Sequence, residues 1–176
     1  MVFSRLTDAR CPRFARAFSL YGRSFPLHEQ RLLRDQQAVL RHPEYHFFTI
    51  EEDGRFCGLL LCWETGNFVY VEHFAICEDL RGTGLGSRAL HLLLQTPRTV
   101  ILEIDPPEDE VSRRRKGFYL RAGFCENPYP HAHPPYRHGF EPHRLVLLSA
   151  PGPVTPAQYA GFNEYLRGTV MAFAER

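Results

Sequence analysis

Three apolar runs, residues 45–51, 56–63 and 68–76, follow one another with only tight-turn signals between them. Glu52-Asp53-Gly54 separates the first two and Glu64-Thr65-Gly66-Asn67 the last two, and neither is long enough for a crossover helix. The runs must therefore meet as an antiparallel meander. Residues 56–63 are almost entirely apolar, as expected of a central strand buried on both faces. This excludes a plain alternating parallel sheet.

After the meander the pattern changes. Arg81-x-x-Gly84-x-Gly86 opens a helix at 87–95 whose Leu90, Leu93 and Leu94 face inward, and a strand at 99–104 follows. Because a crossover leads into it, that strand runs parallel to the one before. A helix over 108–122, ended by Gly123, and a last strand at 144–149 complete the core. Upstream, a short strand at 3–6 precedes a helix beginning near Pro12, with Phe14, Phe18 and Tyr21 at helical spacing. A second helix is expected over 27–40, ending at His42-Pro43. The Pro/His-rich stretch 127–143 reads as a loop. The fold class is α+β: a mixed, mostly antiparallel sheet flanked by helices, with one parallel strand pair.

At 176 residues the chain is one domain over 1–150, with 151–176 as a C-terminal helical extension packed on it. In that extension Tyr159, Phe162, Tyr165, Leu166, Val170 and Phe173 either pack on their own domain or form a homodimer face. A net charge of +1 gives no footing to a nucleic-acid partner. No apolar run reaches the roughly 18 residues of a membrane span, and Met1-Val2-Phe3-Ser4-Arg5 does not open a signal peptide. The cysteines are odd in number and none has metal-like spacing, which suits buried thiols in a reducing cytoplasm.

The glycine loop carries the chemistry. Glycines let the backbone turn tightly and let a phosphate approach N–H groups without interference from Cβ. The N-terminus of the following helix then supplies free N–H donors and a favourable dipole. A Walker loop would need a lysine, but Gly86-Ser87-Arg88 has none there. A dinucleotide fingerprint would need a third glycine where Ser87 stands. On its glycines alone the loop is also compatible with an ordinary strand–helix turn.

The company of the loop narrows the choice. Val71-Glu72-His73-Phe74-Ala75-Ile76 with Arg81, Gly84 and Gly86 resembles the central acetyl-CoA motif of the GNAT superfamily of N-acetyltransferases. Gly117-Phe118-Tyr119-Leu120-Arg121-Ala122-Gly123-Phe124 resembles its later tyrosine helix, and the order of elements agrees over most of the chain. Glu72-His73, the segment 102–109 and Asn127-Pro128-Tyr129-Pro130 are more narrowly similar to small bacterial GNAT proteins of unassigned substrate.

The resemblance implies acetyl-CoA as cosubstrate and a small-molecule amine as acceptor, joined in a ternary complex. It places the coenzyme on Phe74, Ala75 and Ile76 and along Arg81, Gly82, Thr83, Gly84, Leu85, Gly86 and Ser87. It implies that the strand before the loop splays from its parallel neighbour, so that backbone groups of Phe74 and Ile76 reach the pantetheine and the thioester oxygen. Tyr119 takes the position of the general acid and Glu72 that of the base.

Glu103, a charge in an apolar strand, should face the cleft or be paired, and is expected to bind a cationic acceptor. For Glu72 and Glu103 the plain reading is a salt bridge to Arg114 or Arg121. His73, alternating with Glu72 on a regular strand, should be structural. Phe25 and the aromatic pair Tyr129 and Tyr136 should wall the acceptor site. Within Arg113-Arg114-Arg115-Lys116 the readings are a solvated face or a phosphate contact. His131, His133, His138 and His143 lack i, i+4 or cysteine-supported spacing, so no metal is expected.

Overall fold

The meander is the spine of the molecule. In the computed structural model, which describes residues 1–175, β2 (Tyr45–Glu52), β3 (Arg55–Glu64) and β4 (Phe68–Ile76) pair antiparallel in sequence order. The short strand β1 (Val2–Leu6) extends the sheet beside β2. β5 (Thr99–Ile104) lies parallel to β4, and β8 (His143–Ala150) pairs antiparallel with β5. Two very short strands, β6 (Cys125–Glu126) and β7 (His131–His133), both pair with β8. β7 falls within the stretch 127–143 expected to be loop and β6 just before it, and their lengths of three and two residues explain why no alternation announced them.

Helices cover both faces. On one face α1 (Pro12–Ser24), α2 (Leu33–Val39) and α5 (Pro156–Gly168) bury Phe14, Tyr21, Val39, Phe162 and Leu166 against Tyr45, Trp63 and Tyr70. On the other, α3 (Leu85–Leu93) and α4 (Glu110–Arg121) bury Leu90 and Tyr119 against Val71, Leu102 and Leu148. The apolar positions of the C-terminal segment, Phe162, Leu166 and Val170, are fully buried within this chain. Among the described residues no helix is long and apolar enough to cross a membrane.

The expected helix over 27–40 is broken. A 3-10 turn at Leu27–Glu29 precedes α2, and Gln30 and Leu32 between them are extended. The cause is Arg31. Its side chain is completely buried and pairs with a carboxylate on β4, so the backbone is drawn toward the sheet. Helical periodicity records only apolar positions and cannot register a buried cation of this kind.

Candidate active site

β4 and β5 run side by side only from Phe68–Thr99 to Val71–Leu102. Beyond that point Phe74, Ala75 and Ile76 keep their partners on β3 but have none on β5. The parting opens a cleft of about 870 Å³ lined by these residues, by the glycine loop and by Tyr119.

The loop is shaped by its glycines. Gly82 and Gly84 have φ of 79° and 83°, a left-handed region that side chains with Cβ rarely adopt, and Gly84 is the N-cap of α3. A Cβ on Gly86 would stand 3.3 Å from the Phe118 ring, tighter than an ordinary contact, so the absence of one eases the close approach of the helix start and α4. Arg81, Gly82, Gly84, Gly86 and Ser87 line the cleft. Thr83 and Leu85, also expected at the coenzyme, do not line it. Thr83 Oγ1 donates to the Leu80 carbonyl at 2.7 Å, and Leu85 is buried in the core.

At the cleft's inner wall β4 carries a bulge. Leu61 pairs with His73 but Cys62 pairs with Val71, leaving Glu72 as the extra residue. The bulge shifts the alternation, so Glu72 and His73 fall on the same side, with His73 Nδ1 3.6 Å from Glu72 Oε2. The expected opposition of Glu72 and His73 therefore does not hold. Phe74, which regular alternation would put on the face of Glu72, packs with the core of the other face.

Glu72 is the centre of a buried network. Arg31 Nη1 and Nη2 donate to its Oε2 and Oε1, each at 2.6 Å, and both side chains are almost completely buried. Trp63 Nε1 and the Tyr136 hydroxyl also donate to Oε1, at 3.2 and 2.5 Å. The Arg31 guanidinium lies 4.4 Å from the Tyr136 ring centroid. Burial alone would raise the pKa of Glu72. The Arg31 guanidinium, with His73 beside it, outweighs that and holds the carboxyl far below the usual carboxylate range. A carboxylate held in this way favours its ionised form and is a weak proton acceptor, which argues against the role of base expected for it. Its partner is Arg31 rather than Arg114, which pairs with Glu110 within α4, or Arg121.

Glu103 is likewise enclosed. Its Oε2 accepts from the Tyr70 hydroxyl at 2.5 Å, and its Oε1 meets His131 Nε2. Burial would raise its pKa, but His133, His131 and the Tyr70 hydrogen bond hold it below the usual range. Tyr119 is different. It is buried, no protein partner for its hydroxyl occurs among the described residues, and burial pushes its pKa up to about 12.

Phe25 and Tyr136 line the cleft as expected. Tyr129 does not: its ring stacks on Tyr159 of α5 at 4.2 Å and its hydroxyl donates to the Val154 carbonyl. Of the basic run only Arg115 reaches the cleft, where it binds Asp105 at 2.5 Å. Arg31, Trp63 and the pairing of Glu103 with His131 went unforeseen, and nothing in local spacing could have revealed them.

Fold and cleft together are those of an acyltransferase. The chain belongs to the acetyltransferase (GNAT) family, whose model matches residues 14–124. A candidate acetyltransferase of that family from Bacteroides thetaiotaomicron superposes with a TM-score of 0.89 at 30% identity, over 97% of this chain and 98% of that one. YjbC of Bacillus subtilis, described as a candidate acetyltransferase, is 27% identical over 104 residues, which are 57% of this chain and 52% of YjbC. The chain thus spans about half the length of that relative. An aminoglycoside 6'-N-acetyltransferase complexed with coenzyme A shares the fold, with a TM-score of 0.62 at 12% identity over 85% of this chain and 96% of that one.

Proposed function

We propose that this protein is an acetyl-CoA-dependent N-acetyltransferase that acetylates a primary amine of a small molecule by direct attack in a ternary complex. The observation that carries the reading is the parting of β4 from β5 after Val71–Leu102, in one cleft with the glycine loop and Tyr119. The unpaired backbone edge at Phe74 to Ile76 suits a pantetheine arm. It offers an N–H to the thioester oxygen as negative charge develops there, a preorganised dipole of large effect. The N–H groups around Gly82, Gly84 and Gly86 suit the coenzyme's pyrophosphate.

In this reading the neutral amine attacks the thioester carbonyl carbon, the tetrahedral adduct collapses and the C–S bond breaks. The Tyr119 hydroxyl donates its proton toward the departing thiolate, and the proton lost by the amine leaves to solvent through the open cleft. The tyrosinate takes one proton back from solvent, which restores the acid with no net proton change. The same burial that raises the Tyr119 pKa raises the basicity of a thiolate beside it, so the transfer stays near balance. Glu72 acts as a positioning residue: its network fixes the bulge from which the acetyl-binding segment departs.

The relative solved with coenzyme A is named for acetylating an aminoglycoside, an amine-bearing small molecule, which supports the acceptor class. The test is thiol release from acetyl-CoA across a panel of small amines, beside thermal stabilisation by CoA, ATP and NAD. Stabilisation by CoA with amine-dependent release is expected. CoA binding without release for any amine would instead mark a non-catalytic acyl-CoA-binding domain, and stabilisation by ATP or NAD alone would exclude both.

A further inference from the structure

In the lining of the cleft lies a group of donors that acetyl transfer leaves unused. One nitrogen each of His28 and His143 and a carboxylate oxygen of Glu29 lie within 4.8 Å of one another. They come from two separate parts of the chain, the 3-10 turn before α2 and the first residue of β8, which is why spacing in the sequence gave no sign of them.

We propose that His28, Glu29 and His143 form a divalent transition-metal site of the Zn²⁺ type. Two imidazoles and one carboxylate are a donor set that zinc takes in an open, three-ligand arrangement. Tetrahedral ligands at about 2.0–2.2 Å from zinc stand roughly 3.4 Å apart, so the donors need only small side-chain rotations to close on an ion.

Several observations set this group apart from a chance meeting of polar residues. His28 Nε2 is buried and has no hydrogen-bond partner, with Glu29 Oε1 3.6 Å away. A buried ring nitrogen without a partner is costly and is relieved by a ligand. The turn that carries it is held from both sides: the Tyr136 N–H donates to the His28 carbonyl at 2.9 Å, and His73 Nε2 donates to the Glu29 carbonyl at 2.8 Å. His143 is held as well, its Nε2 lying 2.9 Å from Asp105 Oδ1. Asp105 is itself anchored by Arg115. A carboxylate that holds a ligating histidine in this way is a recurrent partner of metal sites. The His28 and His143 rings stand 5.0 Å apart, and Phe140 lies against His28 at 5.8 Å. All three proposed ligands line the cleft, where water or a donor atom of a bound molecule would complete the coordination of an ion.

The test is titration of the full-length, tag-free protein with ZnCl₂ by calorimetry and with CoCl₂ by visible absorption, without coenzyme. One saturable ion per chain and the intense d–d bands of four-coordinate cobalt are expected. His28→Ala and His143→Ala should each weaken binding at least tenfold and remove the cobalt bands. Asp105→Asn should weaken binding about tenfold while leaving the stoichiometry at one. Thermal stabilisation by CoA, measured on every variant, reports that the cleft is intact and does not depend on the metal. No saturable binding, or binding that survives the double variant His28→Ala/His143→Ala, overturns the proposal. The second result would assign the ion to histidines elsewhere.

Discussion

Arg31 and Glu72 face each other through two hydrogen bonds of 2.6 Å with neither side chain open to solvent. Attraction between charges in such a place has to offset the cost of removing both from water, and it does so only when geometry is good and the remaining lone pairs are filled. Here Trp63 and Tyr136 fill them on the carboxylate. Removing one partner strands the other, so Arg31→Met or Glu72→Gln should each destabilise the fold by about 3–5 kcal/mol. The double variant Arg31→Met/Glu72→Leu should lose much less than the sum. A urea-unfolding cycle measures the difference, and additive losses would deny the coupling.

The same pair sets a dependence on pH. The folded pKa of Glu72 lies below its unfolded value, so the folded state favours the ionised form. The stability this contributes is complete above the unfolded pKa of about 4.3 and is lost as pH falls below it toward the folded value. Wild-type protein should therefore lose more stability between pH 6 and pH 3 than Glu72→Gln does. Urea midpoints across that range check this, and parallel slopes would show that Glu72 is not the group responsible.

Tyr119 should matter to rate and little to binding. Phe retains the ring that packs against Phe118 and Phe124 and removes only the hydroxyl. Tyr119→Phe should lower kcat for thiol release by about 10²–10⁴-fold, the usual contribution of a positioned acid, and leave the Kd for CoA within about twofold. With burial pushing its pKa up to about 12, no alkaline loss of rate from Tyr119 should show below pH 10. Steady-state rates from pH 6 to 10 with isothermal CoA titrations check both. An unchanged kcat would remove Tyr119 from the chemistry.

Much of this arrangement could be read along the chain, and what could not has a physical cause. The meander, the glycine loop and the helix bearing Tyr119 are local patterns in which turn residues and periodicity lie within a dozen positions of one another. The bulge at Glu72 is a matter of register against β3, and nothing in the alternation of β4 marks where one residue is extra. That single slip moved His73 onto the face of Glu72 and Phe74 off it. Arg31 looks like any surface arginine until β4 supplies its carboxylate. Tyr129 lies near the cleft in sequence terms, yet α5 offers the Tyr159 ring and takes it away.

Gly84 and Gly86 should fail in distinguishable ways when substituted. At Gly84 there is open space but a φ of 83°, so Gly84→Ala strains the backbone by about 1–2 kcal/mol and tilts the N–H groups at the start of α3. At Gly86 the backbone has no such constraint, but Gly86→Val pushes into Phe118. Both should weaken CoA binding. Only the Gly86 variant should be relieved by trimming its neighbour, so Gly86→Val/Phe118→Leu should recover part of the lost affinity while Gly84→Ala/Phe118→Leu recovers none. CoA titrations on the four variants decide it.

Glu103 lines the cleft, but both its oxygens are already engaged, by Tyr70 and His131. A cationic acceptor would therefore sense its charge through space rather than take a hydrogen bond from it. Glu103→Gln keeps the shape and removes the charge, so KM for an ammonium-bearing acceptor should rise about three- to tenfold, or roughly 0.7–1.4 kcal/mol at a few ångströms in a partly screened cleft. The change should be absent for an acceptor that carries no second positive charge, with kcat little altered for either. Paired measurements on a diamine and its mono-amine analogue make the comparison. An equal effect on both would mean that Glu103 holds Tyr70 and His131 in place and does not select charge.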